Sequence, residues 1–136
     1  MPIEINNPKL IDGLENHQGR QVFQLVEDLV VTMTDNAGNI IGNFIVPEGY
    51  RTDFASVPLA LWWIMPPAGQ HSRAAILHDY LYDTPGICSR WFADALFREI
   101  MRDLEVSKWR RVAAFYAVRF FGGIWWKDLP ESEDER

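Results

Sequence analysis

The residues best suited to chemistry form one short run, in which an imidazole and a carboxylate stand side by side. His78 and Asp79 lie within residues 75–82, where every other side chain is apolar or aromatic. Ionisable groups in such surroundings are costly unless they are paired, hydrogen-bonded or bound to a metal. A neighbouring His and Asp can ligate zinc or another divalent metal when further carboxylates converge on it, and the bound water then becomes a nucleophile. Asp94 and Asp53 are the candidates for these further ligands.

The same residues also fit a buried hydrogen-bond network that fixes a loop onto the helices. In that interpretation His78 bonds Asp94 or a backbone carbonyl, and Asp79 pairs with Arg51 or Arg90. A satisfied polar network of this kind fixes the relative positions of the packed elements and catalyses no reaction. The spacing along the chain leaves both interpretations open.

A serine nucleophile is a third interpretation. Ser56, with His78 as the base and Asp94 as the orienting acid, has the composition of a catalytic triad. The residues on either side of the serine are not the glycines of a nucleophile elbow. We therefore expect Ser56, with Arg51 and Asp53, to hold its loop by hydrogen bonds.

The first half of the chain carries the pattern of β-strands. Residues 21–46 are rich in β-branched and aromatic side chains, which favour strands. Small polar residues and a glycine at positions 35–39 are typical of a hairpin turn. The pattern predicts a hairpin from about Gln24 to Val46.

Three helices are predicted in the second half from apolar residues spaced three and four apart. The first covers residues 72–82 and places His78 on the same face as Ala74 and Leu81. The second begins after a cap at Ser89 and ends at about Leu104. The last runs from Ser107 to about residue 121, and its predicted buried stripe consists of Trp109, Val112, Ala113, Tyr116 and Phe120.

Length and composition indicate how these elements are organised. The 136 residues predict one domain, residues 1–136, with its core at about 20–125 and a charged tail at 127–136. Hydrophobic residues make up 48% of the chain, enough for a core. We expect an α+β fold, in which an N-terminal β-hairpin or small antiparallel sheet packs on a C-terminal bundle of three to four helices.

Charge and cysteine content limit the classes of function. The net charge of −6 argues against nucleic acid as a partner. The single cysteine, Cys88, excludes an intramolecular disulfide and fits synthesis in a reducing cytoplasm. The apolar stretch 113–126 is interrupted by Arg119 and is shorter than the ~20 residues of a membrane span, so no span is expected.

Two pairs of adjacent tryptophans are candidates for a partner surface. Consecutive residues on one element point in different directions, so one member of each pair can face a partner. The alternative is that both members cover edges of the core. The pairs are Trp62 with Trp63 and Trp125 with Trp126.

Two motifs and a later Arg–Asp pair carry a resemblance to a known family. The motifs are GYRTDFASVP at residues 49–58 and AAILHDYLY at residues 74–82, followed by Arg90 and Asp94. In this order and spacing they resemble the phage and prophage family catalogued as domain of unknown function 1353, over roughly residues 20–125. The resemblance implies a gene of a tailed bacteriophage or prophage, and it assigns no activity. The polar residues at its motif positions are Arg51, Asp53, Ser56, His78, Asp79 and Asp94.

Two functions follow as hypotheses. The first is a virion-associated structural or interaction protein of the tail or baseplate, made in the host cytoplasm and bound to other virion proteins. The second is a metal-dependent hydrolase acting on cell-wall or phosphoester bonds, with His78, Asp79 and Asp94 as ligands. A hydrolase needs a solvent-reached pocket where His78 meets a carboxylate, whereas a structural protein needs an exposed aromatic surface.

Overall fold

The structure, a computed structural model, describes residues 3–6, 8, 10–15, 21–52 and 72–127. Six strands precede three helices in this part of the chain. The strands are β1 (Ile3–Ile5), β2 (Leu10–Glu15), β3 (Gln21–Leu25), β4 (Leu29–Thr34), β5 (Ile40–Val46) and β6 (Arg51–Thr52). The helices are α1 (Ser72–Asp83), α2 (Arg90–Asp103) and α3 (Lys108–Phe121), and a 3₁₀ turn (Gly122–Trp125) follows α3 directly.

The strands form two antiparallel sheets of three strands, in the orders β1-β4-β5 and β2-β3-β6. The predicted turn between β4 and β5 is confirmed: the Asp35 carboxylate accepts the backbone N–H groups of Ala37 and Asn39, and Gly38 takes a φ of 86°. The predicted start of the hairpin at Gln24 is wrong, because Gln24 lies in β3 and pairs in the other sheet. The hairpin itself covers residues 29–46.

A single hydrophobic cluster joins the strands to the helices. Alternate residues of β4 point inward, as the period of a half-buried strand requires, so Leu29, Val31 and Met33 are buried. From the helices, α1 contributes Leu77 and Leu81 to the same cluster. The α+β fold class is thereby confirmed, with small antiparallel sheets followed by three helices.

The helical segments begin close to where the sequence places them. The Ser89 hydroxyl accepts the backbone N–H of Phe92 at 3.1 Å, so it caps α2 as predicted. Ser107 stands at the N-terminal end of α3 without a side-chain capping bond. In the described residues, no helix is long and apolar enough to cross a membrane.

The prediction for the buried side of α3 is wrong. Its buried residues are Ala114, Phe115 and Val118, which pack toward α2. Most of the predicted stripe lies on the opposite side of the helix and is exposed: Trp109, Val112, Tyr116 and Phe120. The helix carries apolar residues on both sides, so periodicity alone does not select the one that faces inward.

Candidate functional site

His78 and Asp94 face each other between α1 and α2. His78 is buried on α1 together with Ala74 and Leu81, as predicted, and residues on the other sides of this helix are buried as well. Asp94 lies in the first turns of α2, which the Ser89 cap starts. Nε2 of His78 is 2.7 Å from Oδ1 of Asp94, and both side chains are completely enclosed.

The Asp94 carboxylate accepts from three side chains. Oδ1 faces His78 and also accepts the Tyr82 hydroxyl at 2.5 Å, and Oδ2 accepts Nη1 of Arg119 at 2.8 Å. Burial alone raises the pKa of Asp94, but the hydrogen bonds from His78 and Tyr82, followed by that from Arg119, hold this pKa below its ordinary value. Asp94 is therefore ionised at neutral pH, with Arg119 as its paired cation.

Arg90 joins this network to the end of α3. Its Nε donates to the Tyr82 hydroxyl at 3.2 Å and lies 4.0 Å from Oδ2 of Asp94. Its Nη2 donates to the backbone carbonyls of Val118 at 2.8 Å and Arg119 at 2.7 Å. These carbonyls lie in the last turn of α3, where backbone carbonyl groups have no N–H partner within the helix. The helix dipole also favours a cation at this end.

The network determines where the proton of His78 resides. Because the ionised Asp94 carboxylate only accepts, Nε2 of His78 carries the hydrogen that it donates. Nδ1 has no hydrogen-bond partner in the part of the chain that the structure describes. In a neutral imidazole, a hydrogen on Nε2 leaves a lone pair on Nδ1, which is the arrangement of a metal ligand whose opposite nitrogen is oriented by a carboxylate. Two aromatic rings pack against the imidazole, Tyr82 at 4.3 Å and Phe97 at 4.7 Å between ring centroids.

Asp79 belongs to a separate cluster, because adjacent helical residues point about 100° apart. Its Oδ2 accepts the hydroxyl of Thr52 and lies 3.2 Å from the hydroxyl of Tyr50. The same Tyr50 hydroxyl is 2.9 Å from Oδ2 of Asp83, whose Oδ1 pairs with Nζ of Lys127 at 3.1 Å. This cluster ties the β5–β6 connection to α1.

One phenol proton serves two carboxylates in this second cluster. Burial and the neighbouring charges of Asp79 and Asp83 raise the pKa of Tyr50 well above its ordinary value, so the phenol keeps its proton. A hydroxyl has one hydrogen to donate, and here it lies within reach of both acceptors. Tyr50 therefore holds the two carboxylates together as a shared donor.

The remaining predicted site residues are only partly described. Arg51 is exposed on β6, facing away from Asp79. Trp126 is half-buried and packs edge-on against Tyr82 at 5.2 Å, at an edge of the core. The residues outside the described part are Asp53, Ser56, Trp62 and Trp63, and for Trp125 only the backbone, in the 3₁₀ turn, is described. Within residues 3–52 and 72–127, apart from their gaps, no three His, Cys, Asp or Glu side chains converge as metal ligands do.

Sequence reasoning missed the residues that complete both clusters. Tyr82 stands four positions after His78, so the i to i+4 relation on one helix face could have identified it. Arg119 was recognised only as a charge that interrupts an apolar run. Tyr50 and Thr52 lie within the motif at residues 49–58, where Arg51 and Asp53 drew attention instead. Thr52 could have been identified because successive residues of a strand point to opposite faces, so that Thr52 points inward where Arg51 points outward.

Gly122 allows the close approach of the 3₁₀ turn to this network. A Cβ at Gly122 would stand 2.9 Å from the Tyr82 hydroxyl, which is fixed by Asp94 and Arg90. We expect Gly122→Ala to lower the free energy of unfolding by about 1–3 kcal/mol through this overpacking. Gly123→Ala is the matched control: its nearest atom is the end of the Arg90 side chain at 3.4 Å. Urea denaturation of the two variants measures the difference, and equal stabilities would contradict the proposed contact.

Comparison with known proteins places these residues in a family context. The sequence profile described as "Protein of unknown function (DUF1353)" matches residues 23–118. This range includes the whole of α1 and α2, and every residue of the two clusters apart from Arg119 and Lys127. An uncharacterized protein of Sinorhizobium fredii, y4jT, is 36% identical over 84 residues, which cover 59% of this chain and 24% of that protein. The chain thus matches about a quarter of this relative's length. No solved structure matches the chain.

Proposed function

The chain belongs to the DUF1353 family of proteins of unknown function, and we propose that it is a virion-associated protein of a tailed bacteriophage or prophage. It acts as a structural component of the tail or baseplate, through contacts with other virion proteins. The assignment to a phage or prophage is supported by the motif resemblance described above. The protein-binding role draws on a surface of α3.

The observation that carries this proposal is an exposed apolar stripe along α3, here called the outer face: Trp109, Val112, Tyr116 and Phe120. Trp109 is 60% exposed and Phe120 is 78% exposed. The stripe runs opposite the side that packs on α2 and extends for roughly 17 Å at 1.5 Å per residue. Contiguous exposed apolar residues of this kind mark interaction sites on proteins, so this stripe fits a partner surface.

Aromatic rings and arginines extend the outer face toward α2. Trp91, exposed on α2, packs edge-on against Phe115 at 5.6 Å, and Phe115 contacts Tyr116 at 5.5 Å. The guanidinium groups of Arg119 and Arg110 lie over the rings of Trp91 and Trp109, at 5.3 and 5.4 Å. Trp, Tyr and Arg are the residue types that dominate the energetics of protein interfaces.

The interior of the helical half also favours a structural role. The His78 and Asp94 side chains are completely enclosed, and the two oxygens of Asp94 are engaged by three donors. Residues from α1, α2 and α3 meet at this carboxylate. An enclosed and largely satisfied network fixes the relative positions of helices and thereby supports a rigid binding surface.

Incorporation into particles tests the proposal. In a lysogen carrying this gene, we expect the protein in purified tailed particles, quantified by mass spectrometry, and at least about tenfold less of a Tyr116→Glu variant, because a charge replaces a central aromatic contact. Ile40→Glu is the matched control, since it places the same charge on an exposed apolar residue of the β4–β5 hairpin. Absence of the wild-type protein from particles contradicts a virion role.

A second candidate, a metal-dependent hydrolase, has one observation in its favour. Nδ1 of His78 has no partner among the described residues, while Asp94 orients the opposite nitrogen, as carboxylates do for metal-ligating histidines. In such a site His78 is the ligand through Nδ1, and Asp94 is the outer partner that holds the ring. Metal analysis of protein purified without chelator tests it: stoichiometric zinc that His78→Ala abolishes supports the hydrolase, and metal-free wild-type protein removes it.

A further inference from the structure

The outer face of α3 is bordered by positive charge. Lys108 and Arg110 are exposed beside it and form no ion pair with any residue that the structure describes. The other basic residues of the helix are engaged: Arg119 by Asp94, and Arg111 by the carbonyl of Val106 at 3.2 Å. No acidic residue occurs in α3. A partner for this face must therefore supply acidic groups beside apolar ones.

The strand half of the chain carries a surface of that description, here called the acidic corner: Val26, Glu27, Asp28 and Glu48. All four residues are exposed, and neither Glu27 nor Glu48 has an ion-pair partner in the described residues. The Asp28 carboxylate links the two loops of the corner, because its Oδ1 accepts the backbone N–H of Glu48 at 2.8 Å. It surrounds a shallow recess of about 350 Å³ whose lining includes Val26, Glu48 and Gly49.

From these two surfaces we propose that copies of this chain associate head to tail, with the outer face of one copy seated on the acidic corner of the next. The inference rests on the proposed function, because it identifies the partner of the same outer face as a second copy. The exposed aromatic residues meet the recess beside Val26. Lys108 and Arg110 meet Glu27 and Glu48, and these four charges have no ion pair among the residues that the structure describes.

Charge decides against a symmetric pairing of like surfaces. A two-fold dimer through the outer faces would bring two copies of α3 together, each with basic residues and no acidic one. A two-fold dimer through the acidic corners would oppose carboxylates in the same way. Like charges facing each other are strongly unfavourable at an interface. Opposite charges pair only where the outer face of one copy meets the acidic corner of another, and head-to-tail repetition of this contact generates rings or open chains of subunits.

The two surfaces are also independent of each other in one copy. The outer face lies on α3, which packs on α2 and the 3₁₀ turn. The acidic corner lies at the β3–β4 and β5–β6 connections, where Leu25 accepts the N–H of Gly49 at 2.8 Å. Each copy can therefore use both surfaces at once, as a repeating assembly requires.

Sedimentation velocity of the purified chain tests this arrangement. We expect the wild-type protein to sediment faster as its concentration rises over an about hundredfold range, and this association to weaken in about 0.5 M salt, which screens exposed charges. Arg110→Glu and Glu48→Lys are each expected to weaken association at least about tenfold, because each opposes like charges. Unchanged thermal unfolding of both variants establishes that they are folded.

Mixing the two variants provides the decisive readout. In an equimolar mixture, unaltered Arg110 of the Glu48→Lys copy meets unaltered Glu48 of the Arg110→Glu copy, so association is restored. Recovery in the mixture supports the head-to-tail arrangement. A wild-type chain that stays monomeric at low salt, or a mixture that stays monomeric, overturns it, and binding of that monomer to an acidic peptide would assign the outer face to another partner. A monomer that is still incorporated into particles overturns this inference alone and leaves the proposed function standing.

Discussion

Replacement of Asp94 by alanine is expected to lower the free energy of unfolding by about 3–5 kcal/mol, because it leaves two buried donors and a half-buried arginine without their acceptor. The donors are His78, Tyr82 and Arg119. Urea denaturation at neutral pH, followed by circular dichroism, measures this loss. Asp103→Ala is the matched control, since Asp103 is an exposed carboxylate on the same helix and has no ion pair among the described residues.

The same carboxylate predicts how stability depends on pH. The folded-state pKa of Asp94 is lowered by its hydrogen bonds, against an unfolded value of ~3.9. The stability that it contributes is therefore fully present above that unfolded value and is lost as the pH falls through the folded pKa. We expect the wild-type free energy of unfolding to fall below about pH 4, and an Asp94→Asn variant to lack this component. A variant with the full wild-type acid dependence would show that other groups cause it.

Truncation of Phe97 to alanine is expected to lower the free energy of unfolding by about 3–5 kcal/mol. Phe97 is 2% exposed, and its ring covers one face of the His78 imidazole at 4.7 Å. The alanine leaves a cavity beside the buried imidazole of His78, and the imidazole cannot fill this cavity. Urea denaturation and binding of a hydrophobic dye detect the loss of stability and the looser core.

Phe120→Ala makes the identical chemical change on the outer face and serves as the control. Phe120 is 78% exposed, so the free energy of unfolding of the isolated chain is expected to change by less than about 0.5 kcal/mol. A large loss in this control would mean that the outer face is already covered within one copy. That result would remove the main support for a partner surface on α3.

The sequence specified best those features that depend on local periodicity. Helical spacing predicted that His78 is buried on α1 together with Ala74 and Leu81. The turn at residues 35–39 and the cap at Ser89 followed from the hydrogen-bonding capacity of single side chains. Each of these depends on neighbours a few residues away, which a single sequence displays directly.

Features that depend on long-range pairing were harder to predict. The sequence pattern assigns Gln24 to the hairpin that follows it. In the structure Gln24 lies in β3, which pairs with β2 and with the distant β6. In the network interpretation Asp79 was expected to pair with Arg51 or Arg90. It instead contacts Thr52, the residue that follows Arg51 in the chain. Because residues alternate along a strand, the burial of Thr52 directs Arg51 outward. The sequence therefore identified the segment that contacts Asp79. Which of its two adjacent residues makes the contact depends on which one points inward from the strand.

The hydrogen bond from Arg119 to Asp94 has a consequence for the rotational setting of α3. Because this helix has apolar stripes on both sides, the hydrophobic effect favours burial of either side and does not by itself choose the smaller stripe that is buried. The guanidinium reaches the enclosed carboxylate in only one rotation of the helix about its axis, the one that turns Ala114 and Val118 toward α2. Arg90 fixes the same rotation through the carbonyls of Val118 and Arg119. The buried charge of Asp94 thus determines which aromatic residues of α3 are exposed on the surface.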